Sequence, residues 1–394
     1  VAAAPPSAAF VVRAAAMTSS SGRPPSAAVA RGAVIAAALS LPGVAPAQSV
    51  PEGAQIGFKY LHYQDSQPGL DRITVESPSL YLLAPFAQRW SLEASLVVDS
   101  VSGATPRWHS SISSATRMQD HRTAGDLRVT RYFRRAAVDV GFAYSTEDDY
   151  QSRAASVNLR LSSDDNNTTI AVGTGLTDDT MNPNPGSVLA HEESRRVNEF
   201  IVGLTQVLSA NDIVQANLSH VRGRGYYSDP YKFLDHRPRA RNQNALLLRW
   251  NRHIAAAGAS LRSSYRFYDD DFGITAHTVG LEWAQSLRGI TLTPALRYTT
   301  QSAASFYVDP LPGSPVPPLV SADPPYYSVD HRLSAFGAIT VGLKVALPLG
   351  RSWLLDAKVD VYEQRGQWRI GGEGSPGLAP FRAQFYQLGA TYRF

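Results

Sequence analysis

Apolar residues recur at every second position along most of this chain, and beyond residue 50 no apolar run reaches the length that a membrane-crossing helix needs. In residues 352–361, Trp353, Leu355, Ala357, Val359 and Val361 interleave with Ser352, Leu354, Asp356, Lys358 and Asp360. Val138, Val140, Phe142 and Tyr144 stand likewise against Asp139, Gly141, Ala143 and Ser145, and Leu92, Ala94, Leu96 and Val98 against Glu93, Ser95 and Asp99. A period of two places alternate side chains on opposite faces of a strand, so each segment has one apolar and one polar face. A soluble sheet wetted on one side shows the same pattern. The connections must decide whether water or lipid meets the apolar face.

Sixteen alternating segments are predicted, from 55–64 at the start to 380–394 at the end, among them 255–269 and 329–347. After even-numbered segments the chain turns within a few residues, as at Ser209-Ala210-Asn211 and Leu287-Arg288. After most odd-numbered ones it runs on, through 103–120, 179–194, 224–240, 303–328 and 366–379. Short turns at one end and long loops at the other characterise outer-membrane barrels, and both chain ends on the short-turn side require an even strand count. The expected fold is all-β, a closed antiparallel up-and-down transmembrane β-barrel of about 16 strands, with 14 or 18 as alternatives. Trp90, Trp250, Trp283 and Trp353 fall towards the short turns; Tyr226, Tyr227, Tyr268, Phe306, Tyr326 and Tyr327 fall towards the long loops. Two aromatic belts are expected where an apolar band meets lipid headgroups.

Residues 31–50 place Arg31 before a short Ala/Leu/Val run and then Ala45-Pro46-Ala47, the small-x-small pattern of a signal-peptidase site. Residues 1–47 are therefore expected to be a leader and signal peptide, and 48–394 a single outer-membrane barrel domain. The chain has no Cys, consistent with passage through an oxidising compartment without covalent staples. Its formal charge is +4, but Arg13, Arg23 and Arg31 lie in the acid-free leader, leaving +1 for the remainder. No basic stripe for nucleic acid is present, and no nucleic-acid partner is expected.

The last strand sets Tyr386, Leu388, Ala390, Tyr392 and Phe394 on one face and ends on an aromatic. This resembles the C-terminal signal read by the barrel-assembly machinery, for which β-augmentation supplies a physical basis. The blocks VDSVSGATPRW (98–108), HRTAGDLRVTRYF (121–133), YSTEDDY (144–150) and SSDDNNTT (162–169) resemble those of the domain of unknown function 3570 family across nearly all of the mature chain. That resemblance implies an exported Gram-negative outer-membrane barrel and carries over no catalytic or binding residue.

Inward-facing charge is the main functional pointer. Glu93, Asp99, Asp139, Glu282, Asp356 and Asp360 are expected to share the interior with Arg128, Arg160, Arg297, Lys358 and Arg393. Such a lining either wets a channel and tunes its selectivity or braces a filled interior by cross-strand pairing. The proline-rich segment 303–328 cannot pair as strand and either folds into the mouth or lies on the surface. Acidic clusters at the loop end supply weak cation candidates, Asp148, Asp149, Asp269, Asp270 and Asp271, beside Glu147, Asp178 and Asp179. Without a calcium-loop spacing they read as turn residues. His109, His121, His191, His236 and His331 fall towards the outer side, yet no GxSxG, HExxH or paired metal-ligand spacing occurs. No catalytic residue, metal or cofactor is assigned. The leading expectation is a porin-like or transporter-like channel for small hydrophilic solutes or ions, touching outer-membrane lipid and lipopolysaccharide. A plugged scaffold or receptor for a partner protein and a rim-sited membrane hydrolase remain alternatives.

Overall fold

The computed structural model describes residues 49–104, 117–183, 191–230, 234–310 and 325–394. The predicted leader lies outside them. Sixteen antiparallel strands close one up-and-down barrel in chain order. They are β1 (Gln55–Gln67), β2 (Leu70–Phe86), β3 (Trp90–Ala104), β4 (Arg117–Tyr132), β5 (Ala136–Thr146), β6 (Tyr150–Ser162), β7 (Thr168–Met181) and β8 (Glu193–Val207). Then follow β9 (Asp212–Gly225), β11 (Ala240–Ile254), β12 (Ala259–Asp270), β13 (Thr275–Leu287), β14 (Ile290–Gln301), β16 (Phe336–Leu349), β17 (Trp353–Arg365) and β18 (Phe381–Arg393). Two short strands, β10 (Asp235–His236) and β15 (Tyr327–Ser328), pair with each other as a separate ribbon.

First and last strands seal the wall: Gln55 stands opposite Arg393 and Ser66 opposite Arg382. The Phe394 N–H donates to the Ala54 carbonyl at 2.9 Å. Closure leaves no unpaired edge in the wall. At one end the connections hold two to five residues. Arg288 and Gly289, both at positive φ, make the tightest of them, as a two-residue hairpin loop requires. At the other end connections range from Pro68-Gly69 to residues 302–335.

Outward residues on β3 from Trp90 to Val98, on β17 from Trp353 to Val361, and on β18 to Phe394 are all apolar or aromatic, most of them well exposed. Such rows of about nine residues rise roughly 20–23 Å at about 3.3 Å per residue and a tilt near 40°, close to the ~25 Å apolar band of outer-membrane barrels. Above the band the outer face turns polar. Arg196 pairs with Asp178 at 2.7 Å, Arg382 with Glu363 at 3.2 Å, and His62 with Glu76 at 2.7 Å.

Two predicted strands are shorter than their alternation suggested. Residues 329–335 precede β16 and leave the wall, because the Asp330 carboxylate accepts the Arg332 N–H and caps the turn His331–Leu333. Val329, Leu333 and Ala335 are buried there among loops. Ala255–Ala257 form a 3-10 turn closed by Gly258 at φ 57°, so β12 begins at Ala259. The aromatic belts also need correction. Trp90, Trp250, Trp283 and Trp353 lie near the short turns and share the outward parity of the exposed Leu96, Leu248, Leu281 and Leu355. Tyr227 and Phe306 are instead buried inside the loop assembly, where they fill its apolar core, and Tyr226 is buried against Tyr150 and Met181 at the ends of β6 and β7.

Candidate functional site

The inner wall divides into two arcs. Along β1–β9 it is shut and neutralised by cross-strand ion pairs. Arg122 and Asp99, directly opposite on β4 and β3, meet at 2.9 Å with both side chains only 4% exposed. Arg195 and Asp179 meet at 2.7 Å, at 5% and 0% exposure. Arg72 reaches Asp65 at 3.6 Å, and Arg128 lies 3.5 Å from Asp139 and 3.8 Å from Glu93. The Asn158 amide donates to Asp139 at 2.8 Å. Between these pairs Ser152, Thr177, Val197 and Asn217 are buried. Buried charges survive when paired and hydrogen-bonded.

The arc from β11 to β16 differs in both access and sign. Arg249 projects from β11, Arg262 and Arg266 from β12, Arg297 from β14 and Lys344 from β16. Arg249 is opposite Ser264, Ser264 opposite Gly280, and Gly280 opposite Arg297, so two guanidiniums share one row across four strands. Arg266 sits one inward position nearer the loops. Arg262, opposite Glu282, sits one nearer the turns, and Lys344 is two residues beyond Gly342, the partner of Ala295. Arg262 and Glu282 lie 3.5 Å apart at 37% and 46% exposure. Among the described residues no carboxylate comes within ion-pair distance of Arg266, Arg297 or Lys344, and Arg297 is exposed.

At the loop end this arc is roofed by a cap whose described residues are 226–230, 234–239, 302–310, 325–335 and 366–380. Phe272, at the β12–β13 turn, packs against Phe306 with ring centroids 5.0 Å apart and against Tyr227 at 5.9 Å. Arg237, buried, donates to Asp235 at 2.8 Å and Asp330 at 2.6 Å. Burial opposes its charge, but those two carboxylates outweigh burial and raise the guanidinium above its ordinary value. Ser375 and Ala335 exchange two hydrogen bonds at 2.9 Å, and the Gly377 N–H donates to Asp309 at 3.2 Å. Burial holds the Asp309 carboxyl above the usual carboxylate range, against the Gly377 N–H and the Tyr307 hydroxyl that favour its charge. His331 stacks on Phe381 of the inner wall at 5.9 Å, so the cap folds inward. The middle of the predicted proline-rich loop lies outside the described residues.

All eleven charges expected inside share the inward parity. Glu93, Asp99, Arg128, Asp139 and Arg160 lie on the shut arc, and Glu282 and Arg297 on the accessible one. Asp356, Lys358, Asp360 and Arg393 lie on β17 and β18, where Lys358 pairs with Asp360 at 2.6 Å. Sequence reasoning missed Arg249, Arg262, Arg266 and Lys344. In β12 the alternation of Arg262, Ser264 and Arg266 with Ser263, Tyr265 and Phe267 carried the signal, but the outward serine blurred it.

The acidic clusters do not converge. Asp270 turns inward to Arg241 and accepts the Phe272 and Ile274 N–H groups at 3.1 and 3.0 Å. Asp271 accepts the Asn242 N–H at 2.9 Å and Asp269 the Thr275 hydroxyl at 3.4 Å. These carboxylates organise a turn. Asp148 and Asp149 lie in the β5–β6 turn, where the Asp149 carbonyl accepts the Asn182 N–H. Among the described residues no group of His, Asp and Glu has metal-binding spacing. His236 packs at a tilt against Tyr326 and Tyr327, and His191 is exposed. His121 is exposed on β4, and His109 lies outside the described residues.

The chain thus forms a sixteen-stranded closed barrel with a capped, partly accessible interior that is cationic along β11–β16. The chain belongs to the family described as Protein of unknown function (DUF3570), whose model matches residues 31–118, 113–194 and 187–385. No curated protein matches the sequence. Among solved structures it is similar to a bacterial polysaccharide outer membrane secretin, at TM-score 0.49 and 7% identity, covering 88% of this chain and 100% of that one. It is also similar to Pseudomonas aeruginosa OccD3 (OpdP), at TM-score 0.44 and 8% identity over 88% and 92%. A third is Pseudomonas aeruginosa OccK2 (OpdF) in complex with glucuronate, at TM-score 0.44 and 10% identity over 88% and 100%. Likeness at this level carries no functional argument.

Proposed function

We propose that this protein spans the bacterial outer membrane and passes small hydrophilic solutes or ions through its interior. The supporting observation is the accessible, charged arc of β11–β16 inside a wall whose outer face is an apolar band of bilayer height. A barrel of this width can hold an aqueous path where loops do not fill it. The cap places a constriction at the loop end, and the outward aromatic face of β18 offers the assembly machinery its recognition strand. The reading is of passage, without a catalytic step.

Planar bilayers test it. Folded protein is expected to give discrete conductance steps, larger when Arg237→Ala and Asp330→Asn loosen the cap. Absence of steps in both wild type and cap variant sinks the reading.

A second reading, a receptor whose cap seals the mouth and binds a partner protein, is favoured by the cap's buried Arg237–Asp330 pair and its apolar centre. It predicts a partner that co-purifies from solubilised membranes and is lost with the same cap variants.

A further inference from the structure

We infer that the passage is selective for small anions, a specificity that rests on the passage itself being real. Four successive inward rows of one arc each carry a cation. Arg266 lies nearest the cap, then Arg249 with Arg297, then Arg262, then Lys344 nearest the short turns. With about 3.3 Å per residue, successive rows are separated by roughly 5 Å along a barrel axis inclined about 40° to the strands. An anion leaving one cation is then already within reach of the next. Glu282 is the carboxylate on this arc outside the cap contacts, and it is committed to Arg262.

The opposite arc cannot cancel this field. Its carboxylates Asp99, Asp139 and Asp179 are each held by an arginine and almost wholly withdrawn from solvent, Glu93 lies 3.8 Å from Arg128, and Asp126 accepts from the Ser95 hydroxyl. A folding requirement alone would pair the β11–β16 charges in the same way, since like charges facing one another destabilise a sheet. Instead Lys344 stands directly opposite Lys358. Surplus charge of one sign on a low-dielectric wall concentrates counter-ions, and rings of Arg and Lys favour anions in pores. Guanidinium forks match carboxylate and phosphate oxygens in pairs, so the expected solutes are small organic acids or phosphate compounds.

The test is the reversal potential of the full-length protein in planar bilayers under a potassium chloride gradient. Wild type is expected to prefer chloride severalfold. The triple variant Arg266→Glu, Arg297→Glu, Lys344→Glu is expected to lose or invert that preference while keeping the heat-dependent gel mobility of a folded barrel. Should the triple variant fail to fold, Arg266→Gln with Arg297→Gln must lower the ratio in the same direction. Conductance that prefers potassium, or a ratio unmoved by the variants, overturns the inference and leaves the passage standing. If no conductance is seen, calorimetry with succinate and with inorganic phosphate on the folded protein in detergent decides. Salt-sensitive binding lost in Arg266→Gln/Arg297→Gln supports the anionic site, and no binding of either probe overturns it.

Discussion

The Asp360 carboxylate lies flat over Gly342, its direct partner on the neighbouring strand, in space that a Cβ would occupy. Asn158 lies over Gly173 and Asn217 over Gly203 in the same manner. A glycine opposite each polar side chain lets that chain run along the wall instead of projecting across the interior. Gly342→Ala is therefore expected to push Asp360 off the wall and away from Lys358. Overpacking of this kind costs about 1–3 kcal/mol. Urea unfolding of the reconstituted barrel should show the loss, and an unchanged midpoint would refute the account.

Arg195 and Asp179 hold each other inside the wall, with further contacts from Arg195 to the Tyr150 hydroxyl and the Tyr226 carbonyl at 3.4 Å. Asp179→Ala strands a buried guanidinium and is expected to cost about 3–5 kcal/mol. Removing both charges together, as Asp179→Leu with Arg195→Met, should cost less than the single change. A double variant worse than the single one would show that the pair contributes net stability.

Leu343 faces outward in the middle of the apolar band. If lipid surrounds it, Leu343→Arg should destabilise the barrel by about 2–4 kcal/mol, as arginine does at a bilayer midplane. The inward change Thr340→Glu, directly opposite Arg297, should fold normally. Equal tolerance of both in unfolding titrations from lipid vesicles would argue that water, not hydrocarbon, meets the outer face.

Asp309 clasps the Gly377 N–H and ties two cap segments together. Its carboxyl is held above the ordinary value by burial, so the folded cap binds the proton more tightly than the unfolded chain does. The associated stability is complete below the usual carboxylate pKa of about 3.9 and declines as pH rises through the raised value. Protease cleavage within 366–380 should accordingly increase over that window, and Asp309→Asn should abolish the step. Cleavage that falls with rising pH would reverse the assignment.

Much of the wall was legible because a strand's period is two and a single misplaced residue flips every side chain. Residues such as Asp139 between Val138 and Val140, or Asp356 between Leu355 and Ala357, announce their face without help from tertiary structure. Which inner charges stay wet was not legible. Asp99 and Glu282 look alike in the sequence and each stands directly opposite an arginine, and only the packing around each pair shows that Asp99 and Arg122 are closed off while Glu282 and Arg262 remain accessible. The cap was hidden for a related reason. Val329, Leu333 and Ala335 alternate as a strand would, yet the Asp330 carboxylate captures Arg332 and Arg237 and turns the chain inward. Loops of this sort are specified by contacts between distant segments, which no local pattern records.

The seam between β1 and β18 has a kinetic consequence. Gln55 finds its partner only when Arg393 is available, so the contact that completes the ring spans almost the whole polypeptide. High contact order of this kind makes ring formation slow, because the loop-closure entropy must be overcome before the final hydrogen bonds can form. Until then two strand borders and the lipid-seeking rows stand bare. The unsealed chain is thus the form most open to pairing with the wrong edge.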